Sequence, residues 1–185
     1  MLTLIVFTPL IGALALLFVN KDDAGTVRNI SVGAAGFTFL VSLVLISRFD
    51  SSLQGMQFTE TLAWVPMFHI NYRVGVDGIS LWLVVLTAFI SLISVCFSLD
   101  RQVGFRNFMA LLLALEAGTL GVFVALDLIL FYVFWELMLV PTYFLIGIWG
   151  EGKRIYATTK FVLFTLVGSL FMLLGIIWLS FIHFE

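Results

Sequence analysis

The chain has 185 residues, of which 62% are hydrophobic and 11% charged, with a mean hydropathy of +1.18. No soluble core of this length could bury so much apolar surface, so the composition excludes a water-soluble domain and requires an integral membrane protein. The net charge of −2, without a basic patch, sets nucleic acid aside as a partner, and the single Cys96 leaves no disulfide framework and no CxxC metal pair.

The first apolar run, Leu2 to Val19, contains Pro9 and Gly12. Ala13-Leu14-Ala15 mimics a signal-peptide cleavage site, but no basic segment precedes the run and the small residues lie inside it, which favours a retained helix. After a polar turn at Asn20 to Gly25, a second span is expected from Val27 to Ser47, with Gly33, Ala34, Ala35 and Gly36 offering a close-packing surface. Arg48 to Asp77 is the one sizeable loop. Within it, Gln57 to Trp64 alternates imperfectly and is compatible with a short strand or hairpin, while Trp64, Pro66, Phe68, Tyr72 and Trp82 suit a membrane interface. The lone His69 fits a surface position better than a metal ligand. Asp77 is expected to cap a third span, Ile79 to Leu99, followed by a charged turn at Asp100 to Phe105.

The run Phe105 to Gly150 is almost wholly apolar, yet it carries Glu116 and Glu136 deep inside. A membrane-spanning helix needs about 20 residues, so this run must fold back once. Asp127 is the polar break near its middle and can cap a new helix, giving two antiparallel helices joined by a tight turn at Ala125 to Asp127. Each glutamate lies ten positions from Leu126. Both are therefore expected at the same depth, about 15 Å from the turn and near the bilayer midplane. An ionised carboxylate there costs several kcal/mol unless it is paired, hydrated or protonated, which suits a group that exchanges protons; the bland alternative is a neutral acid bonded to a neighbouring helix. Tyr132, Glu136 and Tyr143 share one stripe, and Pro141 frees the carbonyl of Leu137 and should kink the helix beside the acid.

Glu151 to Arg154 is a polar loop, and Tyr156 to Ile182 the last of six expected spans, with the tail ending directly after it. Lys160 lies about one turn inside that span, where snorkelling to the surface is the default and a relay to Glu136 the sharper possibility. Thr158, Thr165 and Ser169 share a face that could line a polar path or bond a neighbour. Lys21, Arg28, Arg101, Arg106, Lys153 and Arg154 flank the odd-numbered loops, against Arg48 and Arg73 on the other side. This bias places the odd loops in the cytoplasm and both termini on the outer side.

Three stretches carry a resemblance: GVDGISLWLVVLT (Gly75 to Thr87), LEAGTLGVFVALDLILFYVFWELMLVPTYFLIGIWG (Leu115 to Gly150) and RIYATTKFVLFTLVGSL (Arg154 to Leu170). Together they resemble the M or ND4-type antiporter-like membrane subunits of proton-pumping NADH:quinone oxidoreductase, respiratory complex I. Membrane subunits of multisubunit sodium/proton antiporters and membrane-bound hydrogenases share much of the pattern. The resemblance implies an all-α, polytopic fold that is the N-terminal portion of an antiporter-like inverted repeat, with residues 1–104 forming helices 1–3 and residues 105–185 starting the proton-translocating part. In the family a fifth-helix glutamate, falling on Glu136, and a fourth-helix glutamate, falling on Glu116, transfer protons; the fifth-helix acid pairs with a lysine on a broken seventh helix. This chain ends before that position, so a truncated or split chain holding part of the path is expected.

The resemblance further implies a bacterial cytoplasmic (inner) membrane location and a non-redox role in a translocase. NADH, FMN, iron–sulfur clusters and quinone would belong to partner subunits, since no nucleotide loop, cysteine cluster or flavin signature occurs here. Neighbouring antiporter-like subunits and the lipid bilayer would be its partners. Two other functions compete with this one: a sodium/proton antiporter subunit without a redox partner, and a structural scaffold whose acids stay protonated.

Overall fold

The computed structural model describes residues 1–184 except positions 54, 66, 68 and 69, so the expectations for Pro66, Phe68 and His69 lie outside the described residues. Six helices run in order: α1 (Leu2–Phe18), α2 (Ala24–Arg48), α3 (Gly78–Phe97), α4 (Phe105–Val124), α5 (Leu128–Trp149) and α6 (Arg154–Phe184). Five are long and apolar enough to cross a membrane. The sixth, α1, has 17 residues and stands at the short end of what can span; it runs from the hairpin end of the bundle to the basic loops.

Capping residues set the helix starts where the sequence places them. Asp77 accepts from the amides of Ile79 and Ser80 while Ser80 Oγ accepts from the Asp77 amide, a reciprocal capping box at the head of α3. Asp127 accepts from the amides of Ile129 and Leu130 and so starts α5. For α2 the cap was not expected: Asp23 accepts from the Thr26 amide and starts the helix at Ala24, three residues before the expected Val27.

Between α2 and α3 the expected strand segment forms an antiparallel hairpin, β1 (Gln57–Val65) and β2 (Ile70–Val76). The hairpin covers one end of the helix bundle. Glu60 on β1 accepts from the amides of Leu2 and Thr3, satisfying free donors at the start of α1. On β2, the Arg73 carbonyl accepts from the Leu126 amide at 2.9 Å, and Val74 bridges to Ala125. The α4–α5 turn is thereby stitched to the hairpin. Gly75 allows a close approach there, since a Cβ at that position would lie 2.8 Å from Leu126 Cδ1 and push that side chain aside.

The opposite end carries the basic loops. Arg106 donates to the Val19 carbonyl, Arg28 to the Leu99 carbonyl, and Trp149 Nε1 to the Val103 carbonyl. Arg101 stacks 4.1 Å above the Phe108 ring.

Two apolar clusters fill the bundle. One, near the hairpin, joins Leu2, Ile5, Val6, Leu45, Val84, Leu120 and Phe134. The other, near the basic loops, joins Leu16, Val27, Ala35, Val95, Met109 and Leu113. Helix α4 runs through both and is the most enclosed of the spans, whereas α5 and α6 leave most of their surface open. The small residues of α2 serve two neighbours: Ala34 Cβ closes on Gly12 of α1, while Gly36 faces Leu92 of α3.

Candidate functional site

Glu116 sits on α4 one turn from Leu113 and one turn from Leu120, the residues that belong to the two separate apolar clusters. It therefore occupies the gap between them, in the middle of the bundle. It is 2% exposed, and neither carboxyl oxygen has a hydrogen-bond partner among the described residues. A carboxyl in that setting is expensive in either protonation state: ionised it lacks a counter-charge, neutral it lacks partners for its O–H and C=O. Such exceptions mark functional or water-filled positions far more often than structural ones.

Glu136 on α5 is half-buried, and its Oε1 is likewise buried and unpartnered. Tyr132 stands one turn earlier on the same stripe of α5. On α6, Ser169 is 3% exposed and donates to the Leu166 carbonyl at 3.0 Å.

The two acids are not level. A Cβ on Gly118 would lie 3.3 Å from the Met138 backbone nitrogen and 3.5 Å from its Cα, and Thr119 Oγ1 reaches Met138 Sδ at 3.3 Å. These contacts put residue 118 opposite 138, so Glu136 stands level with Leu120 and Glu116 with Val140. The offset is four residues, about 6 Å along the helix axis. Its cause is the turn: Ala125 and Asp127 are extended, so at about 3.3 Å per residue the chain runs roughly one helical turn beyond the end of α4 before α5 starts back. Symmetric counting from Leu126 takes no account of that excursion. Both carboxyls remain mid-bundle, with Glu136 nearer the hairpin end.

Close approach of α4 and α5 depends on two glycines that composition alone does not single out. The Phe134 ring fills the space Gly121 leaves empty, and Met138 fills that beside Gly118. A pair of glycines three residues apart on an apolar helix is the sequence signal for this contact.

Other expected residues are placed differently. Pro141 is buried inside α5 and, by the same register, stands beside Glu116 rather than Glu136. Tyr143 is 43% exposed and packs edge-on against Phe144, so it stands apart from Glu136. Lys160 is exposed, with its Nζ 5.9 Å from the centre of the Tyr156 ring, in an open groove on α6 lined by Thr159, Leu163, Phe164 and Val167. It is nine residues, or about 14 Å of helix, from Ser169. The structure does not bring it to Glu136. Thr158 and Ser169 do face inward, with Thr158 against Gly147 of α5. No group of three or more His, Cys, Asp or Glu able to hold a metal occurs among the described residues.

Residues 125–183 match the family described as NADH:quinone oxidoreductase/Mrp antiporter, TM. NADH-quinone oxidoreductase subunit M of Rhodobacter capsulatus is 42% identical over 96% of this chain and 35% of its own length. F(420)H(2) dehydrogenase subunit M of Methanosarcina mazei is 40% identical over 94% of this chain and 35% of its own. Respiratory complex I from Thermus thermophilus superposes with a TM-score of 0.79 at 30% identity, over 94% of this chain and 34% of that one. The membrane-bound sulfane sulfur reductase, an archaeal respiratory membrane complex, shares the fold at 23% identity with a TM-score of 0.77. The chain spans about a third of the length of the curated relatives it matches. Within that span it belongs to the antiporter-like membrane subunits of the NADH:quinone oxidoreductase kind.

Proposed function

We propose that this chain forms part of a proton-translocating membrane subunit in a redox-driven respiratory complex. Glu136 is the carboxyl that takes up and releases the proton, Glu116 a second proton-transfer group about one turn away, and Tyr132 a relay. The observation that carries this is a buried carboxyl and a half-buried one on adjoining helices, each with an unpartnered buried oxygen, in a bundle otherwise packed with apolar side chains.

Charge state is what such a site can switch. When a cationic group stands near Glu136 the ionised form is favoured; when that group withdraws, the low-dielectric surroundings favour protonation. The energy at stake is several kcal/mol, comparable to moving a charge through a membrane potential. No described residue of this chain supplies that cation, since Lys160 faces elsewhere. It would come from a neighbouring helix or subunit.

This chain's role is non-redox. NADH, FMN, iron–sulfur clusters and quinone would reside in partner subunits, and other antiporter-like subunits would flank it. Relatives named for NADH and for F(420)H(2) match at similar identity, which fits a segment that does not itself select the electron donor. The setting is the bacterial inner membrane, with the basic loops in the cytoplasm and the β1–β2 hairpin outside.

The test is substrate-driven proton uptake in vesicles carrying the assembled complex. Glu136→Gln should abolish pumping while the complex still assembles, and Glu116→Gln should reduce it. Normal pumping in Glu136→Gln ends the proposal.

A further inference from the structure

The open groove on α6 has a polar end and an apolar end. Tyr156, Thr159 and Lys160 line it over the first two turns of the helix, at the basic end of the bundle. Below them Leu163, Phe164 and Val167 continue it to Gly168 without a polar side chain. These positions recur every three or four residues, so they form one stripe. That stripe faces away from α5, because Thr158, which packs against Gly147, stands on the opposite side of the helix from Lys160. From Tyr156 to Gly168 is about 18 Å of helix, a little more than one leaflet of a bilayer core roughly 30 Å thick. The groove holds about 670 Å³, within the range of small-ligand sites, roughly 300–1,000 Å³.

Two cations serve the polar end. Lys160 Nζ lies 5.9 Å from the centre of the Tyr156 ring, so its side chain reaches back toward the head of α6. Lys153 stands at that head, where its carbonyl accepts from the Ala157 amide. It lies seven residues before Lys160 and therefore on the same face. Neither ammonium makes an ion pair among the described residues, and neither does Glu151, the acid nearest to them in sequence.

Charge and shape together select the occupant. Cations at the membrane surface, above an apolar channel of one leaflet's depth, complement an anionic headgroup with an acyl chain below it. A neighbouring membrane helix would instead run the whole thickness, and it would need a carboxylate at the height of Lys160. We propose that this groove holds one anionic phospholipid of the leaflet at the basic end. Its phosphate sits between Lys153 and Lys160 and accepts from the Tyr156 hydroxyl, and an acyl chain lies along Leu163, Phe164 and Val167. Gly168 leaves room for that chain, since nothing lies within 4 Å of the place its Cβ would occupy. The site is independent of which carboxyl exchanges protons.

The test uses the assembled complex in vesicles containing phosphatidylglycerol or phosphatidylcholine, each with the same photoreactive group midway along one acyl chain. Adducts are mapped by peptide mass spectrometry. Phosphatidylglycerol should label the peptide containing Leu163 to Gly168 on the order of tenfold more than phosphatidylcholine does, since two lysines contribute. Lys160→Gln should lower that preference about fivefold, the share of one lysine near an anionic surface, while Lys160→Arg keeps it. Native gels check that both variants assemble; should Lys160→Gln fail to, the parent comparison decides alone. Equal labelling by the two lipids in the parent complex, or an unchanged preference in Lys160→Gln, overturns the proposal. Absence of any adduct on this peptide with either lipid also overturns it, and means that protein rather than lipid covers the face.

Discussion

Glu116 and Glu136 illustrate what a single residue type can reveal in an apolar chain. Each is costly where it stands, so its presence was legible from composition and position alone. Their relative height was not, because it depends on the extended residues at the α4–α5 turn, which no helical count includes. Lys160 shows the opposite failure: its position one turn into α6 was clear, but its direction was set by the face that Thr158 and Ser169 turn toward α5. At the caps, sequence and structure agree because Asp side chains act within three residues. Hydrogen bonds from the Ser80 amide and hydroxyl hold the Asp77 carboxyl below its ordinary value of 3.8. A carboxyl with a lowered folded-state value stabilises above the unfolded value and loses that contribution as pH falls through the folded one. The cap should therefore be intact at neutral pH and lost only below about pH 4. Asp77→Ala should cost about 1 kcal/mol in thermal or denaturant unfolding in detergent, with the difference from the parent shrinking under strong acid.

The helices were readable as elements because each is a run of about 20 apolar residues bounded by polar turns; the observed ends differ from the expected ones by a few residues. The hairpin was only partly readable, since β1 alternates imperfectly and β2 gave no comparable signal. What holds β2 in place is distant in sequence: the Leu126 amide and the Ala125 bridge. Between α4 and α5, contact depends on Gly118 and Gly121. Gly121→Leu would force the Phe134 ring out of its seat, and overpacking of this kind costs about 1–3 kcal/mol. Lower thermal stability of the purified complex, or failure to assemble, is the expected result. The register itself can be tested by crosslinking in a Cys96→Ser background. The double variant Gly118→Cys with Met138→Cys should form a disulfide readily, whereas Glu116→Cys with Glu136→Cys should not, being offset by about a turn. Efficient crosslinking of the second pair and not the first would restore the level arrangement.

Taken whole, the molecule is a bundle with two unlike ends. One is closed by the hairpin, which ties together the start of α1 and the α4–α5 turn; the other is tied by Arg28, Arg106 and Trp149 donating to loop carbonyls. With the basic end in the cytoplasm, Ser51→Cys in the Cys96→Ser background should react with an impermeant maleimide on intact cells. Glu151→Cys should react only after the membrane is opened. The reverse pattern would invert the orientation. Between the two ends, apolar packing is interrupted by Glu116, with Glu136 about one turn away toward the hairpin. The account depends on these carboxyls changing protonation while the complex turns over. Infrared difference spectra of the working complex, with and without electron donor, measure this directly. A carbonyl band that appears or disappears with turnover and is absent in Glu136→Gln is the expected result; spectra without any such carboxyl change, in a complex that still pumps, would contradict it.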